Sequence, residues 1–153
     1  MNSIFLMTPE AVCVTQTDSK DGILCRLGEL FAEAYTLDAS LVLEHLQERE
    51  NLGSTGFGRG VAIPHARMPG LKRPVAALLK LERPVDFAAA DGLPVDLAFG
   101  LLSPASSGAT HLHALAAISR LVRDERVHDA LSDATDGEAL YSVLTNATDR
   151  DAA

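Results

Sequence analysis

Hydrophobic residues recur at helical spacing in two segments of the first third of the chain. Over 18–35 they fall on one face of a helix, for which Asp18 or Ser19 can serve as the N-terminal cap. This face is formed by Ile23, Leu24, Leu27, Leu30, Phe31 and Ala34. A second helix is predicted over 38–50, opened by Asp38 and ended by the asparagine and glycine that follow.

Four segments of the chain have the pattern of β-strands, one near its start and three in its middle. They are 11–15, 60–66, 75–82 and 95–102. The last two are apolar at nearly every position, so both faces of their sheet must be covered. Further helices are predicted over about 110–124, 126–134 and 136–146. Because helices come before, between and after the strands, we expect an α/β (α+β-like) fold with helices packed on one sheet.

Length and composition indicate one globular domain. The 153 residues are 47% hydrophobic, and we expect a single domain over 1–147 with a frayed tail at 148–153. With 21 acidic and 13 basic residues, the formal net charge of −8 disfavours binding to nucleic acid or to an anionic membrane.

The start of the chain lacks the basic residues and the continuous apolar core of a signal or membrane span. Cys13 and Cys25 lack metal-ligand spacing, which favours free thiols in a reducing cytoplasm.

The signatures of common cofactor and metal sites are missing from the sequence. The glycines at 56, 58 and 60 give a G-x-G-x-G pattern before a strand, whereas a dinucleotide site needs G-x-G-x-x-G before a helix. No P-loop, HExxH, CxxC or GxSxG motif occurs. We therefore expect neither a cofactor nor a metal, and the histidines become the candidates for chemistry.

A glycine-rich segment leads to a histidine where a predicted strand ends. Four glycines lie within 53–60, and Pro64, which cannot donate to a sheet ladder, directly precedes His65. The glycines predict a shallow, backbone-lined approach through which another protein could reach His65. A loop histidine hydrogen-bonded to water is the alternative at this position.

The helix predicted over 110–124 carries two histidines on opposite sides. Its inward direction is defined by Leu112, Leu115, Ile118 and Val122. At 100° per residue His111 lies within about 40° of Leu115, Ile118 and Val122 and points inward, whereas His113 points to solvent beside Arg120. His111 also falls in the first turn, where free backbone N–H groups favour an anion and keep an imidazole neutral. A core histidine hydrogen-bonded to the backbone is the alternative.

Arg49 lies in the apolar sector of the helix predicted over 38–50, near its C-terminal end. Its charge could complement the helix dipole while its stem is buried, or its guanidinium could bind a phosphate. With His65 as the nucleophile and His111 and Arg49 as stabilisers, these residues would form a phosphoryl-transfer site that needs no metal.

Two stretches carry a resemblance to a known family: RENLGSTGFGRGVAIPHAR at 49–67 and THLHALAAISRL at 110–121. Over nearly its whole length the chain resembles the enzyme IIA domains of the mannitol/fructose class of the bacterial phosphoenolpyruvate-dependent sugar phosphotransferase system. Within that class it is most similar to the nitrogen-regulatory (PtsN-type) branch. The resemblance implies a mixed, mainly five-stranded sheet flanked by helices.

The resemblance also implies roles for single residues. His65 matches the histidine that is phosphorylated at Nε2, His111 matches a second histidine that contacts the phosphoryl group, and Arg49 matches the arginine of the family's Arg-Glu pair. The phosphoryl donor would be the phosphocarrier HPr or its nitrogen-branch paralogue. Arg67 departs from the family pattern and receives no role.

These expectations favour a cytoplasmic phosphotransferase component that signals to regulatory target proteins by its phosphorylation state. One alternative is a transport subunit that passes the phosphoryl group to a fructose/mannitol-type IIB partner, and another is a binding module without phosphorylation. Phe57, Met68 and Leu71 flank His65 in glycine- and proline-bearing segments, so we expect them to form an exposed apolar patch for the carrier.

Overall fold

The computed structural model describes residues 4–152, and the side chains of residues 4–148. The strands are β1 (Val12–Thr15), β2 (Gly56–Gly58), β3 (Val61–Ala62), β4 (His65–Met68), β5 (Val75–Val85) and β6 (Val95–Pro104). The helices are α1 (Lys20–Tyr35), α2 (Ala39–Asn51), α3 (Ala109–Arg123), α4 (Glu125–Asp133) and α5 (Gly137–Ala152), and a 3-10 turn spans Pro9–Ala11. A frayed tail at 148–153 stays a prediction, because the side chains of 149–153 lie outside the described residues.

Side-chain caps begin the first two helices where the sequence predicts them. The Ser19 hydroxyl accepts a hydrogen bond from the backbone N–H of Gly22, and the Asp38 carboxylate accepts one from Leu41. Each of these bonds satisfies a donor that the first turn of a helix leaves without an intrahelical partner. Ser19, rather than Asp18, is therefore the cap of α1.

Six strands of the described chain form one mixed sheet in the order β1-β5-β6-β3-β2, with β4 also paired to β6. The long central pair, β5 and β6, is antiparallel, while β1 on β5 and both β3 and β4 on β6 are parallel. Helices pack on this sheet, so the predicted fold class of a mixed sheet flanked by helices is confirmed.

The described chain has six strands, whereas the sequence pattern predicts four and the resemblance implies mainly five, and one difference arises because Pro64 divides one predicted strand. The segment predicted as a single strand at 60–66 becomes β3 and β4, which pair with successive parts of β6. Proline has no N–H to donate, but the Pro64 carbonyl accepts a bond of 3.0 Å from the N–H of Leu101. This bond keeps the chain beside β6 between β3 and β4. The glycine-rich segment also contributes β2, which the sequence pattern does not predict.

The two central strands are buried on both faces, as their composition predicts. Helix α1 packs on β5, α3 on β6 and α5 on β1. At Gly100 of β6, a Cβ atom would lie 2.9 Å from the Phe31 ring, so the absence of a side chain lets α1 sit close to the sheet. Helix α2 packs on α1 and reaches β4, so the end of α2 lies beside His65.

The described helices include none long and apolar enough to cross a membrane. Cys13 and Cys25 are both free thiols.

Candidate functional site

His65 is the first residue of β4 and is half-buried. Its Nδ1 lies 2.7 Å from the carbonyl oxygen of Ile63. Because a carbonyl can only accept a hydrogen bond, Nδ1 must carry the proton, and in the neutral ring Nε2 carries the free electron pair. The backbone just before Pro64 thus fixes the tautomer in which Nε2 is a nucleophile.

His111 lies in the first turn of α3 and is only 5% exposed. The centre of its ring is 5.6 Å from that of His65. Its Nδ1 lies 2.7 Å from the hydroxyl of Ser103 on β6. The inward orientation of His111 and the exposure of His113 are as predicted, and the partner of the ring is a side-chain hydroxyl rather than the backbone.

Leu112 is 61% exposed, so its placement on the inward side of α3 is wrong. The buried face of α3 is formed by His111, Ala114, Ala117, Ile118, Leu121 and Val122. The two alanines lie on the far side of His111 from Leu112, and they turn the buried face away from it. Small residues such as alanine belong to the buried face as well as large ones, and a prediction based mainly on leucines overlooks them.

Arg49 lies in the last turn of α2 and is half-buried. Its Nη1 donates a bond of 2.9 Å to the carbonyl of Gly53, just past the end of the helix. A cation here complements the negative end of the helix dipole. The same side chain lines the cavity that contains His65, so a role at the helix end does not keep it away from that histidine, and phosphate binding by Arg49 stays a prediction.

The three residues predicted from the sequence meet in one open cavity of about 430 Å³. It is bounded by the end of α2, the start of β4 and the start of α3. Its lining residues are His45, Glu48, Arg49, Leu52, His65, Ala66, Arg67, His111, Leu112 and Leu115. Among the described residues there is no group of three or more side chains that could hold a metal ion.

The cavity lowers the basicity of His65. Burial lowers its pKa below the ordinary value of 6.5, and the positive charges of Arg49 and Arg67 act in the same direction. The hydrogen bond to Ile63 and the negative charge of Glu50 oppose this shift without cancelling it. His65 is therefore neutral at neutral pH, which leaves Nε2 free to attack an electrophile.

His111 is neutral for a similar reason. Burial lowers its pKa to about 4, and the nearby positive charge of Arg67 and the ring of His65 add to the effect. At neutral pH the ring acts as a hydrogen-bonding group of fixed orientation rather than as a cation.

Arg67 is a residue of this cavity that sequence reasoning left without a role. It lies two positions after His65 on β4, and its Nη2 donates to the carbonyl of Gly108 at the start of α3, at 3.3 Å. Alternate residues of a strand share a face, so the spacing of His65 and Arg67 was the signal available in the sequence.

The glycine cluster does not clear an approach to His65, and that prediction is wrong. None of its glycines is among the residues that line the cavity. A Cβ atom at Gly56 would lie 2.6 Å from that of Ala89, and Gly60 has a φ of +83°. Gly56, Gly58 and Gly60 allow this segment to approach the chain around 89–96 and to turn, so they serve the packing of the protein itself.

The predicted apolar patch is also wrong in part. Met68 is 2% exposed and belongs to the core, because it points to the buried side of β4, and Leu71 is partly buried against that core. Phe57 is exposed, yet it lies outside the cavity with Arg123 over its ring. The exposed apolar side chains at the cavity are Leu52, which is 84% exposed, and Leu112.

Sequence comparison relates this chain to nitrogen regulatory proteins and to a sugar phosphotransferase component. The nitrogen regulatory protein of Bradyrhizobium diazoefficiens is 44% identical over 91% of this chain and 92% of the relative. The fructose-specific EIIA component of a phosphotransferase system in Haloferax volcanii is 35% identical over 82% of each chain.

Solved structures show the same relationship. The nitrogen regulatory protein IIA-Ntr of Neisseria meningitidis superposes with a TM-score of 0.82 at 33% identity, covering 90% of this chain and 95% of that one. A complex of enzyme IIAMTL with phosphorylated enzyme IIBMTL from Escherichia coli, at 15% identity, shares the fold with a TM-score of 0.73, covering 92% and 99%. The family described as the phosphoenolpyruvate-dependent sugar phosphotransferase system, EIIA 2, matches residues 5–147, and this chain belongs to it.

Proposed function

We propose that the protein is a cytoplasmic histidine phosphocarrier that accepts a phosphoryl group on Nε2 of His65 and regulates target proteins through its phosphorylation state. One observation carries the proposal: the Nδ1–H of His65 is held by the Ile63 carbonyl, which leaves the Nε2 electron pair available beside His111. The donor is a phosphohistidine protein, either HPr or its nitrogen-branch paralogue. The two free cysteines are consistent with a reducing compartment such as the cytoplasm.

The proposed transfer exchanges one P–N bond for another. The electron pair on Nε2 of His65 attacks phosphorus, and the bond from phosphorus to the donor's imidazole nitrogen breaks with its electrons returning to the donor ring. The His65 ring keeps its Nδ1 proton and gains positive charge, which the Ile63 carbonyl stabilises through its hydrogen bond. Water is not consumed, so the phosphoryl group is available for the next acceptor.

The cavity supplies hydrogen-bond donors for the oxygens of the transferring group. Phosphoryl transfer depends on positioning and on stabilising the charge of those oxygens. His111 and Arg49 take this role in the proposal, and Arg67 adds a second guanidinium on the same face of β4 as His65. The short distance between the two histidine rings supports it, since one ring can accept the phosphoryl group while the other contacts it.

Leu52 and Leu112 are proposed as the apolar contacts for the donor. Leu52 directly follows α2 and Leu112 lies on α3, both line the cavity, and both are more than half exposed. Apolar side chains around a charged centre are typical of protein interfaces, where they exclude water from the polar contacts within. This docking would then set the distance between His65 and the phosphohistidine of the donor.

Transfer to a IIB partner is the second candidate function. It is favoured by the similarity to the fructose-specific component, whereas the nitrogen regulatory relatives at higher identity favour regulation. Both functions use the same His65 chemistry, so the donor decides between them. Incubation with phosphoenolpyruvate, enzyme I and HPr of each branch, followed by intact-mass measurement, separates them: phosphorylation by the nitrogen-branch proteins alone supports regulation.

The chemistry itself is tested by His65→Ala. The variant should fold and take no label from the phosphorylated donor, while His113→Ala, altered on the exposed side of α3, should be labelled like the parent protein. The label on the parent should be lost in acid, as expected for phosphorus bonded to a histidine nitrogen. Label that persists in His65→Ala, or that survives acid, would place the phosphoryl group on another residue.

A further inference from the structure

The buried hydroxyl of Ser103 is the partner of His111 on the side away from the cavity. Ser103 lies near the end of β6 with no exposed surface, and its Oγ is 2.7 Å from Nδ1 of His111. Within the part of the chain that the structure describes, this is the one side-chain hydrogen bond of Ser103. A buried hydroxyl therefore meets a buried imidazole nitrogen with no competing partner.

Only one proton arrangement satisfies both groups. If Nδ1 carried the proton it would donate to the serine oxygen, and the serine O–H would then be left buried without an acceptor, which is unfavourable. If Nδ1 carries the electron pair, the serine O–H donates to it and both groups are satisfied. The second arrangement places the remaining proton of the neutral ring on Nε2.

We propose that Ser103 is a positioning residue that holds His111 in the Nε2–H tautomer, so that this ring donates a hydrogen bond to the phosphoryl group. The inference rests on the proposed function for its consequence, though not for the tautomer. His65 and His111 then have opposite proton arrangements. A carbonyl at Nδ1 makes Nε2 of His65 a nucleophile, and a hydroxyl at Nδ1 makes Nε2 of His111 a donor.

This pairing suits the transfer because the two rings do not compete. Two imidazoles that both presented electron pairs would repel the oxygens of a phosphoryl dianion. Here the electron pair of His65 attacks phosphorus, and the N–H of His111 binds an oxygen of the same group. The low pKa of His111 keeps the ring neutral, so that its orientation depends on Ser103 rather than on charge.

The test compares Ser103→Thr with Ser103→Val, two side chains of nearly equal size that differ in the hydroxyl. Two-bond ¹⁵N–¹H spectra of the imidazoles at neutral pH report the tautomer directly, and His111→Gln identifies the His111 signals. We expect the Nε2–H form in the parent protein and in Ser103→Thr, and a mixture of tautomers in Ser103→Val. Any packing strain from the larger side chain is shared by both variants and cancels in the comparison.

Transfer rates provide the second measurement. At saturating phospho-donor, Ser103→Val should accept the phosphoryl group about 3- to 10-fold more slowly than Ser103→Thr, as expected for one weakened hydrogen bond. The donor concentration for half-maximal rate should be the same in both variants, because Ser103 is buried beneath the docking surface. A parent protein with His111 protonated on Nδ1, or equal rates for the two variants, would overturn the inference. A parent protein that shows the Nε2–H form but accepts no phosphoryl group would instead overturn the proposed function.

Discussion

Two histidines two residues apart on α3 show how position on a helix decides what a side chain can do. His111 faces the cavity and is nearly fully buried, while His113 is exposed on the other side. The separation follows from 100° of rotation per residue, and it can be worked out from the sequence before any coordinate is known.

This difference predicts unequal effects of two matched substitutions. His111→Ala should slow phosphoryl transfer to His65 by about 10- to 100-fold, because a hydrogen bond to a charged group contributes roughly 1.5–3 kcal/mol and each 1.4 kcal/mol is about tenfold. His113→Ala should change the rate by less than about twofold, since surface substitutions usually stay within ~0.5 kcal/mol. Stopped labelling assays on both variants provide the comparison. Equal losses would show that the orientation of α3 is not what separates these residues.

Arg67 predicts a second effect at the residue scale. Arg67→Gln removes a positive charge beside both histidines, so transfer to His65 should slow by about tenfold while the pKa of His111 rises toward its ordinary value. Arg120→Gln, on the exposed side of α3, is the matched control and should change neither quantity. Rates from labelling and pKa values from NMR titration measure the two effects. An unchanged His111 titration in Arg67→Gln would contradict this account of the cavity.

Among the secondary elements, α4 is held to the sheet through its C-terminal end. The ammonium group of Lys80 on β5 donates to the carbonyls of Leu131, Ser132 and Ala134 at 2.9, 2.6 and 2.5 Å. Carbonyls at the end of a helix lack the donors of its interior, although that of Leu131 also accepts a bond of 3.3 Å from the N–H of Ala134, and a cation there complements the helix dipole. One lysine thus connects the end of α4 to the middle of the sheet.

Lys80→Met keeps the length of the side chain and removes these three bonds. We expect the free energy of unfolding to fall by about 1.5–3 kcal/mol, the range for hydrogen bonds to a charged group. Lys72→Met, at an exposed position, should stay within about 0.5 kcal/mol of the parent protein. Urea unfolding followed by circular dichroism measures both. A matching loss in the two variants would mean that the cap contributes little and that the loss reflects the change in net charge.

At the scale of the whole molecule, the proposed docking surface is one that α2 and α3 bring together. Leu52 and Leu112 are far apart in the sequence and line the same cavity only in the folded chain. Replacing both with Ser should weaken binding of the phospho-donor about tenfold or more, because apolar contact area is lost at the rim of the site. Thermal unfolding should be nearly unchanged, since both residues are exposed.

Leu93 provides the matched control for this surface. It is 51% exposed and lies outside the cavity, so Leu93→Ser should leave donor binding unchanged. Titration calorimetry with the donor and thermal melts on the same samples supply both readouts. Weakened binding in Leu93→Ser, or a large drop in melting temperature in the double variant, would show that the leucines act through folding.

The buried neutral histidines also make the stability of the whole molecule depend on pH. The pKa of His111 is about 4 in the folded protein and near 6.5 in an unfolded chain, so between these values the unfolded state binds the extra proton. The contribution of His111 to stability is therefore fully present above pH 6.5 and is lost as the pH falls toward 4. His111→Gln should show a smaller fall in melting temperature between pH 7.5 and pH 5 than the parent protein. An equal fall in both would assign the pH dependence to the carboxylates and to His65.

The sequence by itself determined most of the elements, although not β2 or the break between β3 and β4, and it singled out the three candidate site residues, because these depend on periodicity and on residue chemistry. Helix caps such as Ser19, the buried strands β5 and β6, and the inward side of α3 at His111 all follow from local spacing. Arg49, His65 and His111 stood out by their positions near the end of a helix, at the end of a predicted strand and on the inward side of a helix, although each position also had a structural alternative. Their roles in catalysis stay predictions.

What only the tertiary structure decided is which groups meet across the fold. The partner of Ser103, the position of Arg67 beside two histidines and the clash that requires Gly56 to be glycine all join segments far apart in sequence. Met68 and Leu112 were assigned to the wrong surroundings for the same reason. Local pattern gives the side of an element on which a residue lies, while its burial depends on what packs against that side, and this is set by the arrangement of the whole chain.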